Sequence, residues 1–216
     1  MNKLTPERRR ELTRTTLVEA ASEVFANKGV NGASLEEIAE LAGFTRGAIY
    51  SNFGSKEELL FAVIDHFIDR QLQDFAATMG AGGGGFEQNA RAAAEMFGRD
   101  LRQSRTITAL DLELRLAALR HPEVRRRLAQ LERESSMKAA RLVEEQVVRH
   151  GLNLDVSPRD LADIGRAAVE GLMQLAWIDE ENAERYEHLV ESVFLLLARS
   201  AIPSKGEPAK RRSRRS

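Results

Sequence analysis

Cysteine is absent from the 216 residues. That excludes disulfides and thiolate metal ligation, and it fits a reducing compartment. Histidine is scarce as well. His66, His121, His150 and His188 are scattered, and no two have the spacing that pairs ligands on one helix face, so no metal site is expected. No glycine loop carries the lysine-serine or dinucleotide pattern of a phosphate cradle, and no nucleophile elbow occurs. An enzyme reading therefore has no residues to stand on, and no cofactor is expected. No apolar run approaches the roughly 18 residues of a membrane span. The charged start (Lys3, Glu7, Arg8, Arg9, Arg10) lacks the apolar core of a signal peptide, so the expected location is cytoplasmic. Excess positive charge is lacking too. The formal net charge is -1, and residues 1–60 carry eight basic against nine acidic side chains. Bulk charge gives no support to a nucleic-acid partner; only the placement of the basic residues does.

What is present is enough apolar residue, 43%, for a core and 30% charge for a polar surface. The most informative stretch is Ser34 to Leu60. Ser34 and Glu37 have the spacing of a capping box, ahead of Leu35, Ile38, Ala39 and Ala42 at helical intervals. Gly43 falls where the chain must turn. Thr45 caps a second short helix whose apolar marks, Ile49 and Phe53, are four apart. Two short helices joined by a glycine-containing turn describe a helix-turn-helix.

The second helix is the candidate reader. Its exposed face carries Arg46, Gly47, Tyr50, Ser51 and Asn52. A guanidinium fork fits guanine, a carboxamide fits adenine, and hydroxyls suit phosphate oxygens. Gly47 permits close backbone approach to a groove. Lys56, behind the Ser55 cap of the next helix, stands where an ammonium and a helix N-terminus both attract phosphate. With Ser34 and Thr45, these residues form the expected DNA-binding set.

The run from Phe25-Ala26-Asn27-Lys28-Gly29, through Ser34–Ala42 and Thr45-Arg46-Gly47-Ala48-Ile49-Tyr50-Ser51-Asn52-Phe53, to Lys56-Glu57-Glu58-Leu59-Leu60 resembles the DNA-binding segment of the tetracycline-repressor (TetR/AcrR) family of transcriptional regulators. The likeness covers about a quarter of the chain. It implies an all-α protein, with an N-terminal three-helix helix-turn-helix DNA-binding domain and a C-terminal helical bundle for dimerisation and ligand binding. The implied function is a homodimeric repressor, released from a palindromic double-stranded DNA operator by a small apolar or amphipathic effector. The expected bounds are 1–55 for the head, 56–202 for the body and 203–216 for a basic, disordered tail.

Read from its own residues, the first helix runs from Pro6 or Glu7 to about Lys28, followed by a turn over residues 29–32. Arg8, Arg9 and Arg10 fit either a solvated helix start or an arm near the DNA. After Lys56 a strongly amphipathic helix extends to about Met79. The glycine-rich run 80–85 breaks it, as a surface loop or as slack for a pivot. Helices are expected over 86–104, 107–120 and 122–150, and another opens at Ser157-Pro158. Tyr186, Leu189, Val190, Val193, Phe194 and Leu197 mark the last helix.

Two further residue sets are assigned. An effector pocket between body helices is placed at Met96, Phe97, Leu110, Leu114, Met137, Arg141, Met173 and Trp177, each of which also fits ordinary core. A four-helix dimer interface is placed at Leu161, Ile164, Ala168, Leu172, Leu189, Val190, Val193, Phe194 and Leu197, with packing inside one subunit as the alternative. The tail, with Lys205, Lys210, Arg211, Arg212, Arg214 and Arg215, is either a solvated end or a non-specific phosphate contact.

Overall fold

The computed structural model describes residues 5–81, 86–103 and 105–200. Among them the chain is helical, with no strand. Helix α1 (Pro6–Gly32) opens on Thr5, whose Oγ1 accepts the Arg8 amide at 3.3 Å, and on a proline that gives up no needed hydrogen bond in a first turn. Leu17, Ala21 and Phe25, four apart, are fully buried. The helix breaks at Gly29, where φ is +68°, a conformation that costs glycine little. One further turn follows instead of the open turn the sequence suggested, and Ala33 donates its amide back to the Gly29 carbonyl at 3.2 Å.

Helix α2 (Leu35–Leu41) starts on a complete capping box. Ser34 Oγ accepts the Glu37 amide at 3.1 Å, and Glu37 Oε2 accepts the Ser34 amide at 3.3 Å. Lys28 adds an ion pair to Glu37, tying the end of α1 to the box. That ammonium, then the Ser34 amide, holds the Glu37 carboxyl below its ordinary value. Gly43, with φ +70°, turns the chain into α3 (Arg46–Phe53). Thr45 Oγ1 accepts the Ala48 amide at 3.4 Å, and Ile49 and Phe53 face inward against α1 and α2. Burying a side chain such as Ile49 is worth about 1.5–3 kcal/mol, which fixes the roll of so short a helix.

Helix α4 (Lys56–Ala81) begins behind Ser55, whose Oγ accepts the Glu58 amide at 3.1 Å. Residues 59–64 are buried on every side. They are wrapped by the head on one flank and by the body on the other. The helix runs on through Gly80 and Ala81, past the predicted stop; residues 82–85 of the glycine run lie outside the described residues.

The body adds α5 (Phe86–Gln103), α6 (Arg105–Arg120), α7 (Pro122–His150), α8 (Pro158–Ile178), a single 3-10 turn (Glu180–Asn182) and α9 (Ala183–Ser200). Helix α7 ends as its sequence dictates, with Gly151 in the left-handed region. Helix α8 starts on Ser157 Oγ, which accepts the Asp160 amide at 3.0 Å. The basic tail from 201 onward lies outside the described residues.

The main core does not stop at the head. Leu110, Leu114 and Ala118 of α6 and Leu128 and Leu131 of α7 join the buried residues of α1 to α4 in one cluster. A second cluster forms around Val169, Met173 and Ala176 of α8 with Tyr186 and Val190 of α9, flanked by Phe97 and Trp177.

Candidate nucleic-acid interface and body cavity

Inward burial of Ile49 and Phe53 turns the opposite face of α3 to solvent. Arg46, Gly47, Tyr50 and Ser51 are exposed there. Arg46 is engaged in the free protein. Its Nη1 meets Glu36 Oε1 at 2.5 Å, and its Nη2 donates to the Tyr50 hydroxyl at 2.9 Å. The guanidinium also lies 5.3 Å from the centroid of the Tyr50 ring. A Cβ on Gly47 would meet only Thr45 Oγ1, at 3.6 Å. Nothing inside the subunit requires glycine at that position, so any demand for its smallness comes from outside.

The other members of the expected set have internal duties. Ser34 and Thr45 spend their hydroxyls on helix caps. Asn52 is half-buried and donates Nδ2 to the Ala48 carbonyl at 2.8 Å, which takes its amide away from the outer face. Ser51 Oγ donates to the same carbonyl at 3.0 Å. Lys56 Nζ donates to the Ala33 carbonyl at 2.6 Å, so its ammonium ties α4 to the α1–α2 link.

The structure adds a residue that sequence reasoning passed over. Arg14 Nη1 donates to the Asn52 carbonyl at 3.0 Å, and its guanidinium sits 4.4 Å over the Phe53 ring. This clamp holds the start of α1 against the end of α3. A shallow cleft results, bounded by Pro6, Arg9, Arg10 and Thr13 on one side and Ala48, Ser51 and Asn52 on the other. Two exposed arginines thus stand beside α3. The signal in the sequence was the i, i+4 and i+5 placement of Arg14 against Arg9 and Arg10, legible only once α3 was known to lie alongside.

In the body, a cavity of about 260 Å³ lies between α4 and the helices from α5 to α9. It takes Phe97 and Met173 from the predicted pocket set. Leu110 and Leu114 instead belong to the core shared with the head, and buried Met96 accepts a contact from the Thr78 hydroxyl at 3.6 Å. Met137 and Arg141 are exposed, and Trp177 packs against the second core cluster. Helical phase explains the difference on α7. Glu132, Ser135, Ala139, Leu142, Val143 and Gln146 share the inner face, whereas 137 and 141 fall on the other. The polar members of that inner stripe were the residues missed.

The predicted interface set divides in the same way. Leu161 and Val190 are buried within the subunit. Phe194 stacks on Phe97 at 5.2 Å, and Leu197 Cδ1 would lie 3.1 Å from a Cβ on Gly165. Ile164, 51% exposed, faces out, on the same side of α8 as half-exposed Ala168. Leu175 and Ile178 continue that stripe, exposed by 47% and 83%, and Leu196 of α9, exposed by 65%, continues the one through half-exposed Leu189 and Val193. Leu172 lies at its flank, half-exposed. The sequence stripes span both faces of each helix, and periodicity alone does not say which face a neighbour covers.

A capped helix-turn-helix, with its second helix turned outward and a helical body continuing from α4, defines an all-α helix-turn-helix protein. Residues 17–63 match the family model described as "Bacterial regulatory proteins, tetR family". The match lies within the helix-turn-helix head and the start of α4, so the likeness to that family is one of its DNA-binding segment. It is 51% identical over 53 residues to the HTH-type transcriptional regulator TtgR of Pseudomonas putida, covering 24% of this chain and 25% of TtgR. It is 36% identical over 103 residues to the HTH-type transcriptional repressor BepR of Brucella suis biovar 1 (strain 1330), covering 46% of this chain and 49% of BepR. These sequence matches thus span a quarter to a half of the relatives' length. A likeness of fold extends further. The transcriptional regulator FadR of Bacillus subtilis, in complex with stearoyl-CoA, superposes with a TM-score of 0.62 at 16% identity, over 86% of this chain and 98% of that one.

Proposed function

We infer that the protein is a homodimeric, sequence-specific DNA-binding transcriptional repressor that a small effector releases from a palindromic operator. The observation that carries this reading is the outward face of α3, where Arg46, Gly47 and Tyr50 stand free of the core beside Arg9 and Arg10 of α1. Base edges would be read by α3, and phosphates would be met by the arginines of α1. Pairing through the outward stripe of α8 and α9 would set two reader helices near the duplex pitch of about 34–36 Å. The body cavity, with its mostly apolar lining, is the effector site in this reading, and a stearoyl-CoA complex of a protein of the same fold supports it. A 100-fold release needs about 2.7 kcal/mol of differential binding, an ordinary allosteric coupling.

Selection from sheared genomic DNA, followed by fluorescence anisotropy across a salt series, tests it. The expected result is a palindromic site bound in the nanomolar range, with affinity falling steeply with salt and lost in Tyr50→Ala. Fragments retained without a common sequence, at equal affinity for wild type and variant, would overturn it.

A further inference from the structure

The cavity is apolar along most of its length and charged at one end, and the charges there do not cancel. Asp111 and Arg115 of α6, Glu132 of α7, and Arg166 and Glu170 of α8 all line it. Arg115 Nε meets Asp111 at 2.5 Å, and its Nη2 meets Glu132 at 2.7 Å and Glu170 at 3.7 Å. Arg166 Nη1 meets Glu132 at 2.6 Å and Glu170 at 3.0 Å. Three carboxylates thus share two guanidiniums, leaving one negative charge over among the described residues. Burial raises the carboxyls of Asp111 and Glu170 above their ordinary values in spite of the arginines beside them.

A second polar group lines the same cavity further along α7. Gln146 is 5% exposed, and its Oε1 is buried with no partner. A carboxamide oxygen so placed costs free energy until a donor reaches it. Glu132 and Gln146 are fourteen residues apart on α7, so the two features lie about 21 Å apart along the helix. Between them run Phe75 and Leu72 of α4 and Leu142 of α7, all apolar.

We propose that the cavity is built for an elongated apolar amine. Its ammonium sits among Glu132, Glu170 and Asp111, its chain follows α4 and α7, and a hydroxyl or amine at the far end donates to Gln146 Oε1. An anionic head would add a second uncompensated charge to a partly buried site and is disfavoured for the same reason that the amine is favoured. Arg166 Nε, buried and without an acceptor, is met by a water or by a ligand oxygen next to the amine. This inference rests on reading the cavity as the effector site.

Calorimetric titration of the full chain with three dodecyl probes tests it. The probes are an ω-hydroxyalkylamine, the corresponding diol and the ω-hydroxy acid, each held below its aggregation concentration. All three keep the far hydroxyl, so they differ only at the head. The amine should bind about tenfold tighter than the diol, and the acid more weakly than either. Glu170→Gln should remove the preference of amine over diol, and Asp111→Asn should do the same if the first variant folds poorly. Gln146→Leu should weaken all three probes together. An acid that binds as tightly as the amine would overturn the charge assignment while leaving the effector site standing. Failure of all three to bind would overturn the proposal together with the effector reading.

Discussion

At the scale of single residues, Arg46 on the outward face of α3 is already engaged by its neighbours. Arg46 has Glu36 and Tyr50 as partners, and to reach a base edge it must give up at least the carboxylate. Both partners are well exposed, so the ion pair is weak, and the exchange costs little. Glu36→Gln is therefore expected to tighten DNA binding several-fold at low salt, with the gain shrinking as salt rises, in an anisotropy titration. Arg46→Ala should cost about 1–3 kcal/mol, concentrated at one base pair, and equal losses across all operator variants would remove it from base readout. Lys56 behaves differently from a simple phosphate contact. Because its ammonium holds the Ala33 carbonyl, Lys56→Ala should lower stability in urea by about 1 kcal/mol even without DNA.

At the scale of elements, α2 is short enough for its cap to matter. It has seven residues, below the length at which a helix persists alone, so the capping box and the burial of Leu35 and Ile38 set its start. Ser34→Ala should destabilise the head by about 1 kcal/mol in denaturant unfolding. The Glu37 half of the box adds a pH dependence. Its carboxyl is held low in the folded state, by Lys28 first and then by Ser34, so its contribution is present at neutral pH. It is lost as the pH falls through the folded value. The Ser34→Ala defect should therefore shrink in acid, and a defect of constant size would argue that the box does not act as a unit. The starts of α2, α3, α7 and α8 were legible in the sequence because each carries a local mark: a serine or threonine cap, or a proline in the first turn. The stop of α4 was not. Gly80 costs a helix only about 1 kcal/mol, and Met79, buried beside Asn89 of α5, keeps the helix intact past the expected break.

At the scale of the whole molecule, the head and body share one core and α6 has a foot in each. Leu110 and Leu114 pack with the head, while Asp111 and Arg115, one residue further on, line the cavity. A ligand that shifts Arg115 therefore pushes on a helix that the head rests against. The outward stripe of α8 and α9 is the surface to test for assembly. Ile178→Glu and Leu196→Glu alter side chains exposed in the subunit, so each variant should fold. Each should sediment as a monomer and lose about 100-fold in affinity for a full palindrome. A variant that stays dimeric would place the interface elsewhere.

The sequence by itself determined the helices of the head, the turn at Gly43 and the outward face of α3, because caps, glycine and a four-residue repeat of buried positions are local signals. It also carried the family likeness, through residues at fixed offsets. Tertiary structure alone decided which of two apolar faces on α8 and α9 turns inward, why Leu110 and Leu114 serve the head and not the pocket, and where the cavity's charges meet. Periodicity reports that a helix has an apolar side, but the identity of the neighbour that covers it comes from the packing of elements far apart in the chain. Asp111, Glu132 and Glu170 come from three different helices, and no spacing within the sequence could have brought them together.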